Sequence, residues 1–239
     1  MMAVVLAGGR GTRLLPYTAS FPKPLVPLGD MPVLEILLRQ LATAGVTDVI
    51  LAVNHLHHLI RAFCGDGRDF GLRIEYCCED KPLGTAGPLG LLRDRLGENF
   101  IVVNGDLLTN FDIGALIDRH RENGNAASMA VYERCIEIEF GLVETNAEMH
   151  LTGYREKPRW SHLISMGLYL FQRDAVLPHL VPDTFLDMPD LMRTLLGDGV
   201  AVDCVRQDCL WLDIGRPADY AQAQILFETQ RELFLGVQA

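Results

Sequence analysis

What this 239-residue sequence lacks narrows its class before any motif is read. No stretch approaches the roughly 20 apolar residues that a bilayer-spanning helix needs, which excludes a helical membrane anchor. No basic segment precedes the apolar N-terminus, so no secretory signal is expected. The six cysteines contain no CxxC pair. That removes the usual zinc and redox motifs and leaves reduced, partly buried thiols in a cytoplasmic protein as the expectation. Cations are in deficit: 21 Lys and Arg face 31 Asp and Glu, a formal net charge of −10. A general nucleic-acid surface needs the reverse. A phosphate substrate stays open, because a local cationic cradle or a metal overcomes bulk charge. Internal repeats and low-complexity segments are absent, including the hexapeptide pattern of a C-terminal β-helix. With 49% hydrophobic and 22% charged residues, a soluble globular domain with a sizeable core is what remains.

The pattern that is present alternates. Apolar or β-branched runs at 3–7, 49–53, 72–76 and 100–103 read as buried strands. Between them, 33–44, 56–63 and 88–96 carry helical spacing, the first stopping at Gly45. Such alternation implies an α/β fold, a Rossmann-like, mainly parallel sheet flanked by helices. The second half changes character. Runs at 126–132, 141–144, 151–156 and 164–171 predict strands with shorter connections, forming a small mixed or antiparallel extension. Runs at 186–196 and 218–234 predict helices, with Pro217 at a helix start. No linker is evident, so residues 1–239 are read as one domain with a ligand lid.

The first apolar run leads from Leu6 into Gly8-Gly9-Arg10-Gly11-Thr12-Arg13, and Pro22-Lys23-Pro24 follows. A Walker A loop would need a lysine after its last glycine, and none follows Gly11. A dinucleotide loop would need a third glycine where Arg13 stands. What remains is a loop that wraps a nucleotide with its backbone while Arg13 neutralises phosphate, against an ordinary strand-to-helix turn with a solvated arginine. Lys23, held between two prolines that stiffen its segment, favours the phosphate reading.

Residues 6–35, LAGGRGTRLLPYTASFPKPLVPLGDMPVLE, resemble the opening of the sugar-1-phosphate nucleotidyltransferases, or nucleotide-sugar pyrophosphorylases. The likeness continues through VNGD (103–106), REKP (155–158), SMGLYLF (165–171) and LWLDIGRPADY (210–220), nearly the whole chain in family order. Residues 81–96 are most similar to the mannose-1-phosphate guanylyltransferases. The resemblance divides the domain into a mainly nucleotide-binding half, 1–125, and a mainly sugar-phosphate-binding half, 126–239, the latter including a β-rich sugar-binding extension. It implies a nucleoside triphosphate and a sugar-1-phosphate as substrates, no nucleic-acid or membrane partner, and, since relatives often dimerise, a homodimer among the expectations.

Asp106 and Asp213 each follow a short apolar run. Either alone reads as a turn or capping aspartate. Together they suit one Mg²⁺ whose shell phosphate oxygens and waters complete, and the residues at these positions are the family's metal ligands. The implied reaction is in-line displacement at the α-phosphorus with pyrophosphate leaving, which needs anions brought together and spreading charge stabilised. Arg13 is then expected to stabilise pyrophosphate, Lys23 to neutralise the triphosphate, and Lys157 to hold the sugar phosphate, with a solvated surface lysine the bland alternative.

Leu6, Gly8 to Arg13, Lys23, Gly84, Thr85 and Asp106 complete the expected nucleotide contacts. Thr85 also reads as the cap of the helix that follows it. Glu79, with Asp80 as alternative, offers a carboxylate to the two adjacent donors of guanine's Watson–Crick edge, whereas an amide suits uracil or thymine better. Gly141, Glu156, Lys157, Ser165 and Asp213 are the expected sugar-phosphate contacts. Ser165-Met166-Gly167 departs from the Asn-Ala-Gly of many relatives, and Arg216 stands where Thr or Gln is common. His55, His57 and His58 are read as surface or packing residues, and Trp211 and Tyr169 as packing. The rivals to GDP-mannose synthesis are another nucleotidyl transfer of the same family, a nucleotide-sugar-consuming glycosyltransferase, and a non-catalytic nucleotide-sugar sensor. The intact Arg13 and Lys23 loop argues against the glycosyltransferase, which leaves no pyrophosphate to stabilise, and retention of Arg13, Lys23, Asp106 and Asp213 argues against the sensor.

Overall fold

The computed structural model describes residues 1–9, 11–15 and 17–236. Strand β1 (Met2–Leu6) lies inside a seven-stranded sheet. Parallel β4 (Asp48–Val53) and β6 (Asn99–Asn104) flank it, and β5 (Arg73–Cys78) extends the β4 side in parallel. Beyond β6 run β11 (Arg159–Gln172), antiparallel to both of its neighbours, then β8 (Ala127–Glu137), then β12 (Val202–Arg206), parallel to β8. The sheet is therefore mainly parallel, as the alternation implies. Three two-stranded ribbons accompany it: β2 (Pro27–Leu28) with β3 (Met31–Pro32), β7 (Leu107–Thr109) with β13 (Trp211–Asp213), and β9 (Leu142–Thr145) with β10 (Leu151–Arg155).

Period-two alternation explains the layers. Ala3 and Val5 of β1 face a core built with Leu34, Leu37, Leu38 and Leu41 of α1 (Val33–Thr43), Ile60 of α2 (His57–Cys64) and Leu116 of α4 (Ile113–Glu122). The α1 residues recur at helical spacing, which is why this helix is legible in the sequence. Val4 faces the other side, with Leu89 of α3 (Gly87–Leu91) and Leu191 and Leu195 of α6 (Met188–Gly197). A third core joins the loop after β1 to the C-terminal segment: Leu14, Val26 and Leu28 pack with Leu212, Ile214 and with Tyr220 and Phe227 of α7 (Pro217–Thr229). Tyr220 also donates its hydroxyl to the Pro27 carbonyl at 2.9 Å. This third core brings the cationic N-terminal segment to the strand that carries Asp213.

Some expected elements differ in extent. The helix expected over 88–96 stops at Leu91, where the Leu92 amide closes an i→i−3 turn on the Leu89 carbonyl at 3.1 Å. Its apolar period persists because Leu92 and Leu96 still face the core. The helix expected over 218–234 breaks at Gln230 (φ −139°), and α8 (Glu232–Leu235) folds Phe234 against Phe227, ring centroids 6.1 Å apart. The β8–β11 pair runs well past the apolar stretches, since its outer halves pair with each other as an exposed ribbon. A four-residue segment between, Arg173–Val176, forms α5 at the end of β11. No described helix is long and apolar enough to cross a membrane.

Candidate active site

The carboxyl ends of β1, β4, β5 and β6 converge on one rim, where open α/β sheets bind ligands. Backbone bonds fix the departing loops there: Ala7 N to Ala52 O at 2.8 Å, Gly105 N to Leu6 O at 2.9 Å and Glu79 N to Val53 O at 3.1 Å. Above the rim lies a cleft of about 560 Å³, bordered by Leu6, Gly8, Gly9, Gly11, Thr12, Glu79, Gly84 and Thr85. A second cavity of about 280 Å³ is bordered by Ser165, Gly167, Tyr169, Trp211 and Asp213. Arg13, Lys23, Asn104 and Asp106 line both. Two compartments thus meet at one charged wall.

Lys23 is the centre of that wall. Pro22 is extended and Lys23–Leu25 form a single 3₁₀ turn, closed by the Val26 amide on the Lys23 carbonyl at 3.1 Å. Buried Leu25 and Val26 anchor the turn, and Lys23 itself is 7% exposed. Its Nζ donates to Asp106 Oδ2 and lies 3.4 Å from Asp213 Oδ1. Gly215 covers the ammonium so closely that a Cβ there would overlap it, and its amide donates to Asp213 Oδ1 at 2.8 Å. Arg13 Nη1 and Arg216 Nε approach Asp213 Oδ2 at 4.0 and 3.7 Å. Burial on its own would raise the Asp213 carboxyl; Lys23, the Gly215 amide and Arg13 outweigh it and hold the group below the usual range. Three cations therefore face two carboxylates, leaving a local positive excess on an acidic protein.

The glycine loop is set by its neighbours. Gly11 takes φ +61°, a left-handed conformation that favours glycine. A Cβ there would stand 2.9 Å from Thr18 Cγ2 and 3.1 Å from Lys23 Cβ. Thr18 Oγ1 donates to the Gly11 carbonyl at 2.8 Å, so the loop and the lysine segment are tied together. Arg10, expected at the nucleotide, lies outside the described residues.

Two carboxylates that converge on one ammonium are a hard-oxygen donor pair suited to a divalent cation whose remaining positions substrate phosphates fill. Asp106 and Asp213 fit that requirement, with Lys23 Nζ now sitting between them. Among the described residues, no group of three or more His, Cys, Asp or Glu forms a denser metal cluster.

At the far end of the larger cleft, Glu79 Oε2 accepts the Leu83 amide at 3.0 Å. A Cβ on Gly8 would lie 3.2 Å from Oε1, which places the carboxylate over the glycine loop. Burial raises the Glu79 carboxyl, and the Leu83 amide offsets part of the rise. Asp80 is exposed and does not line the cleft. Thr85 caps a different helix from the one expected: its hydroxyl accepts the Met188 amide at 2.7 Å, in the first turn of α6, while α3 has Ala86 as its N-cap residue and no side-chain cap. The reason is packing, since the loop at 84–87 lies against Leu186 and Asp187.

In the second cavity, the Ser165 and Tyr169 hydroxyls lie 2.7 Å apart. The ladder of β11 is irregular between these residues, where Gly167 presses against Asn104. Met166 is 2% exposed within the first core, so its side chain is packing, and its carbonyl accepts the Trp211 indole N–H at 3.1 Å. Gly141, Glu156 and Lys157 lie instead on the β9–β10 side and line neither cavity. There Gly141 abuts the Tyr154 ring, and Tyr154 donates to Glu156 Oε2 at 2.9 Å. Trp160 sits with Arg155, 5.9 Å from guanidinium carbon to ring centroid, and lines neither cavity.

The nucleotidyl transferase family model matches residues 2–230. The chain belongs to that family. Among curated relatives, the mannose-1-phosphate guanylyltransferase of Mycobacterium tuberculosis is 34% identical over 92% of this chain and 62% of its own length. The UTP–glucose-1-phosphate uridylyltransferase of Synechocystis is 31% identical over 93% of this chain and 62% of its own. The chain thus spans a little over three fifths of the length of these relatives. The crystal structure of HddC from Yersinia pseudotuberculosis superposes with a TM-score of 0.72 at 25% identity, covering 95% of this chain and 99% of that one.

Several residues of the candidate site escape a reading of the sequence. Asn104 lines both cavities, and its place directly before Gly105-Asp106 at a strand end was the available signal. Thr18 and Gly215 act by closure, holding the Gly11 carbonyl and covering Lys23, and no spacing announces either. Tyr169 and Trp211, read as packing, pack and also line the smaller cavity.

Proposed function

We propose that this nucleotidyl transferase joins a nucleoside triphosphate to a hexose-1-phosphate and releases pyrophosphate, with GTP and mannose-1-phosphate as the preferred pair. The observation that carries the reading is the shared wall: Arg13, Lys23 and Asp106 border both cavities, as a transfer between two phosphates requires. The nucleotide occupies the larger cleft and the sugar phosphate the smaller. An oxygen of the sugar phosphate attacks the α-phosphorus, a new P–O bond forms, and the bond to the pyrophosphate oxygen breaks. Lys23 neutralises the phosphates as they meet, and Arg13, largely exposed at the mouth, stabilises the departing pyrophosphate. Asp106 and Asp213 would hold Mg²⁺, which supplies Lewis-acid stabilisation of phosphate charge.

Base choice falls to Glu79, whose carboxylate retains lone pairs beyond the one given to Leu83 and suits guanine's paired donors. Likeness to the mycobacterial guanylyltransferase supports the same choice. A second reading, uridylyl transfer to glucose-1-phosphate, draws on the Synechocystis relative. Gly141, Glu156 and Lys157 are assigned to the sugar and its phosphate by their motifs, and since none lines either cavity, that assignment requires the β9–β10 side to move over the smaller one. On this reading the enzyme works in the cytoplasm on two small-molecule substrates, a nucleoside triphosphate and a sugar-1-phosphate. Pyrophosphate release with GTP, UTP, dTTP and CTP against mannose- and glucose-1-phosphate tests the assignment. The GTP and mannose-1-phosphate pair is expected to give the highest kcat/KM; preference for another pair would overturn the substrate assignment, and no turnover with any pair would overturn the activity.

A further inference from the structure

A third cavity, about 330 Å³, lies between β8, β13 and α7. Tyr132, Arg134, Trp211, Asp219, Gln222 and Leu226 line it. Asp219 is its unexplained member. The residue is 8% exposed, its Oδ1 is 3.7 Å from Arg134 Nη2, and its buried Oδ2 has no hydrogen-bond partner among the described residues. A buried acceptor without a donor bears its whole desolvation penalty, so the group calls for a partner.

The surroundings define what that partner is. Arg134 balances the Asp219 charge, and neighbouring Glu133 is already held by Arg206 at 2.5 Å, so the cavity favours a neutral occupant. Opposite lies a tilted aromatic pair, Tyr132 and Trp211, ring centroids 5.7 Å apart. A simple cation would meet one carboxylate with an arginine beside it, and an anion would meet the carboxylate itself. A pyranose ring satisfies every wall: one hydroxyl donates to Asp219 Oδ2, a neighbouring oxygen accepts from Arg134 or Gln222, and a C–H face covers an aromatic ring. The volume stands at the low end of ligand pockets, which suits one sugar ring.

We propose that this cavity is a second, non-catalytic binding site for a single neutral sugar ring. It borders the smaller cavity of the active site through Trp211, which lines both. The test rests on the proposed reaction only where mannose-1-phosphate is used to fill the smaller cavity; Asp219 and Leu226 line this cavity and not that one, so their variants report on it directly. Trp160 and Trp211 are the two tryptophans of the chain, so a Trp160→Phe protein reports on Trp211 fluorescence alone. Titration with methyl mannoside and methyl glucoside is expected to give a saturable change that persists with mannose-1-phosphate at saturation. Asp219→Asn, which keeps the shape, and Leu226→Phe, which fills the cavity from two turns further along α7, are each expected to weaken that binding about tenfold or more. No saturable change, equal affinity in both variants, or complete competition by mannose-1-phosphate would overturn the site.

Discussion

Lys23 and Asp106 stand 83 residues apart in the chain and form an ion pair at the wall between two cavities. Lys23 is buried, so its charge must be matched, and Asp213 shares the task. Replacing Lys23 with Met leaves two facing carboxylates. Because both retain some solvent contact, the loss of stability is expected at about 2 kcal/mol rather than the full cost of a buried pair. Mg²⁺ is expected to raise the melting temperature of Lys23→Met by more than that of the wild type, since it supplies the missing charge. Calorimetry with and without Mg²⁺ checks this; equal responses of the two proteins would remove Lys23 from between the carboxylates.

The depressed Asp213 carboxyl makes stability depend on pH in one direction. As pH falls, the unfolded chain takes up this proton first, so the contribution is complete above the ordinary carboxylate range. It is lost as pH falls through that range to the lower folded value. The stability difference between wild type and Asp213→Asn should therefore be largest near neutrality and shrink in acid. Denaturant titrations at several pH values measure it, and a difference that does not change with pH would contradict the geometry around Asp213.

Glu79, raised by burial, predicts a base-specific pH effect. Activity with GTP is expected to fall on the acid side at a higher pH than an ordinary carboxylate would give, because the protonated group accepts one fewer bond. Glu79→Gln should lower kcat/KM for GTP relative to UTP by about tenfold to a hundredfold, the range of a charge-assisted bond. An unchanged ratio across the triphosphates would take Glu79 out of base selection.

Lys157 tests the hairpin. It adopts φ +40°, unusual for a residue with a side chain, in the turn between β10 and β11. If closure brings it to the sugar phosphate, Lys157→Met should raise KM for that substrate about tenfold while KM for the triphosphate changes little. Equal KM values in mutant and wild type would leave Lys157 a solvated lysine.

The parts legible in the sequence are those governed by local rules. Strand β1 ends in glycines after an unbroken apolar run, and α1 repeats leucines at helical spacing. The runs at 141–144 and 151–156 show β9 and β10, whereas the outer halves of β8 and β11 carry no apolar pattern as an exposed ribbon, and β12 and the β2–β3 ribbon offer too few residues to show a period. Thr85 was misread for another reason: its partner lies 103 residues onward, at Met188, where sequence proximity gives no guidance. The convergence of Lys23, Asp106 and Asp213 is likewise invisible to spacing, and family resemblance alone suggested it. Glu156 and Lys157 are legible as motif residues, but their distance from the two cavities depends on a hairpin that only coordinates locate.

On the proposed reaction, Lys23, Asp106 and Asp213 form one transferase centre. Its most direct measurement is the yield of nucleotide sugar and pyrophosphate from GTP and mannose-1-phosphate in Mg²⁺, for the wild type and for Asp106→Asn. Equal molar amounts of both products are expected from the wild type, with a loss of roughly a hundredfold or more in kcat for the variant, the scale of a lost electrostatic group at a reacting phosphate. Wild-type turnover that survives Asp106→Asn undiminished would contradict that centre.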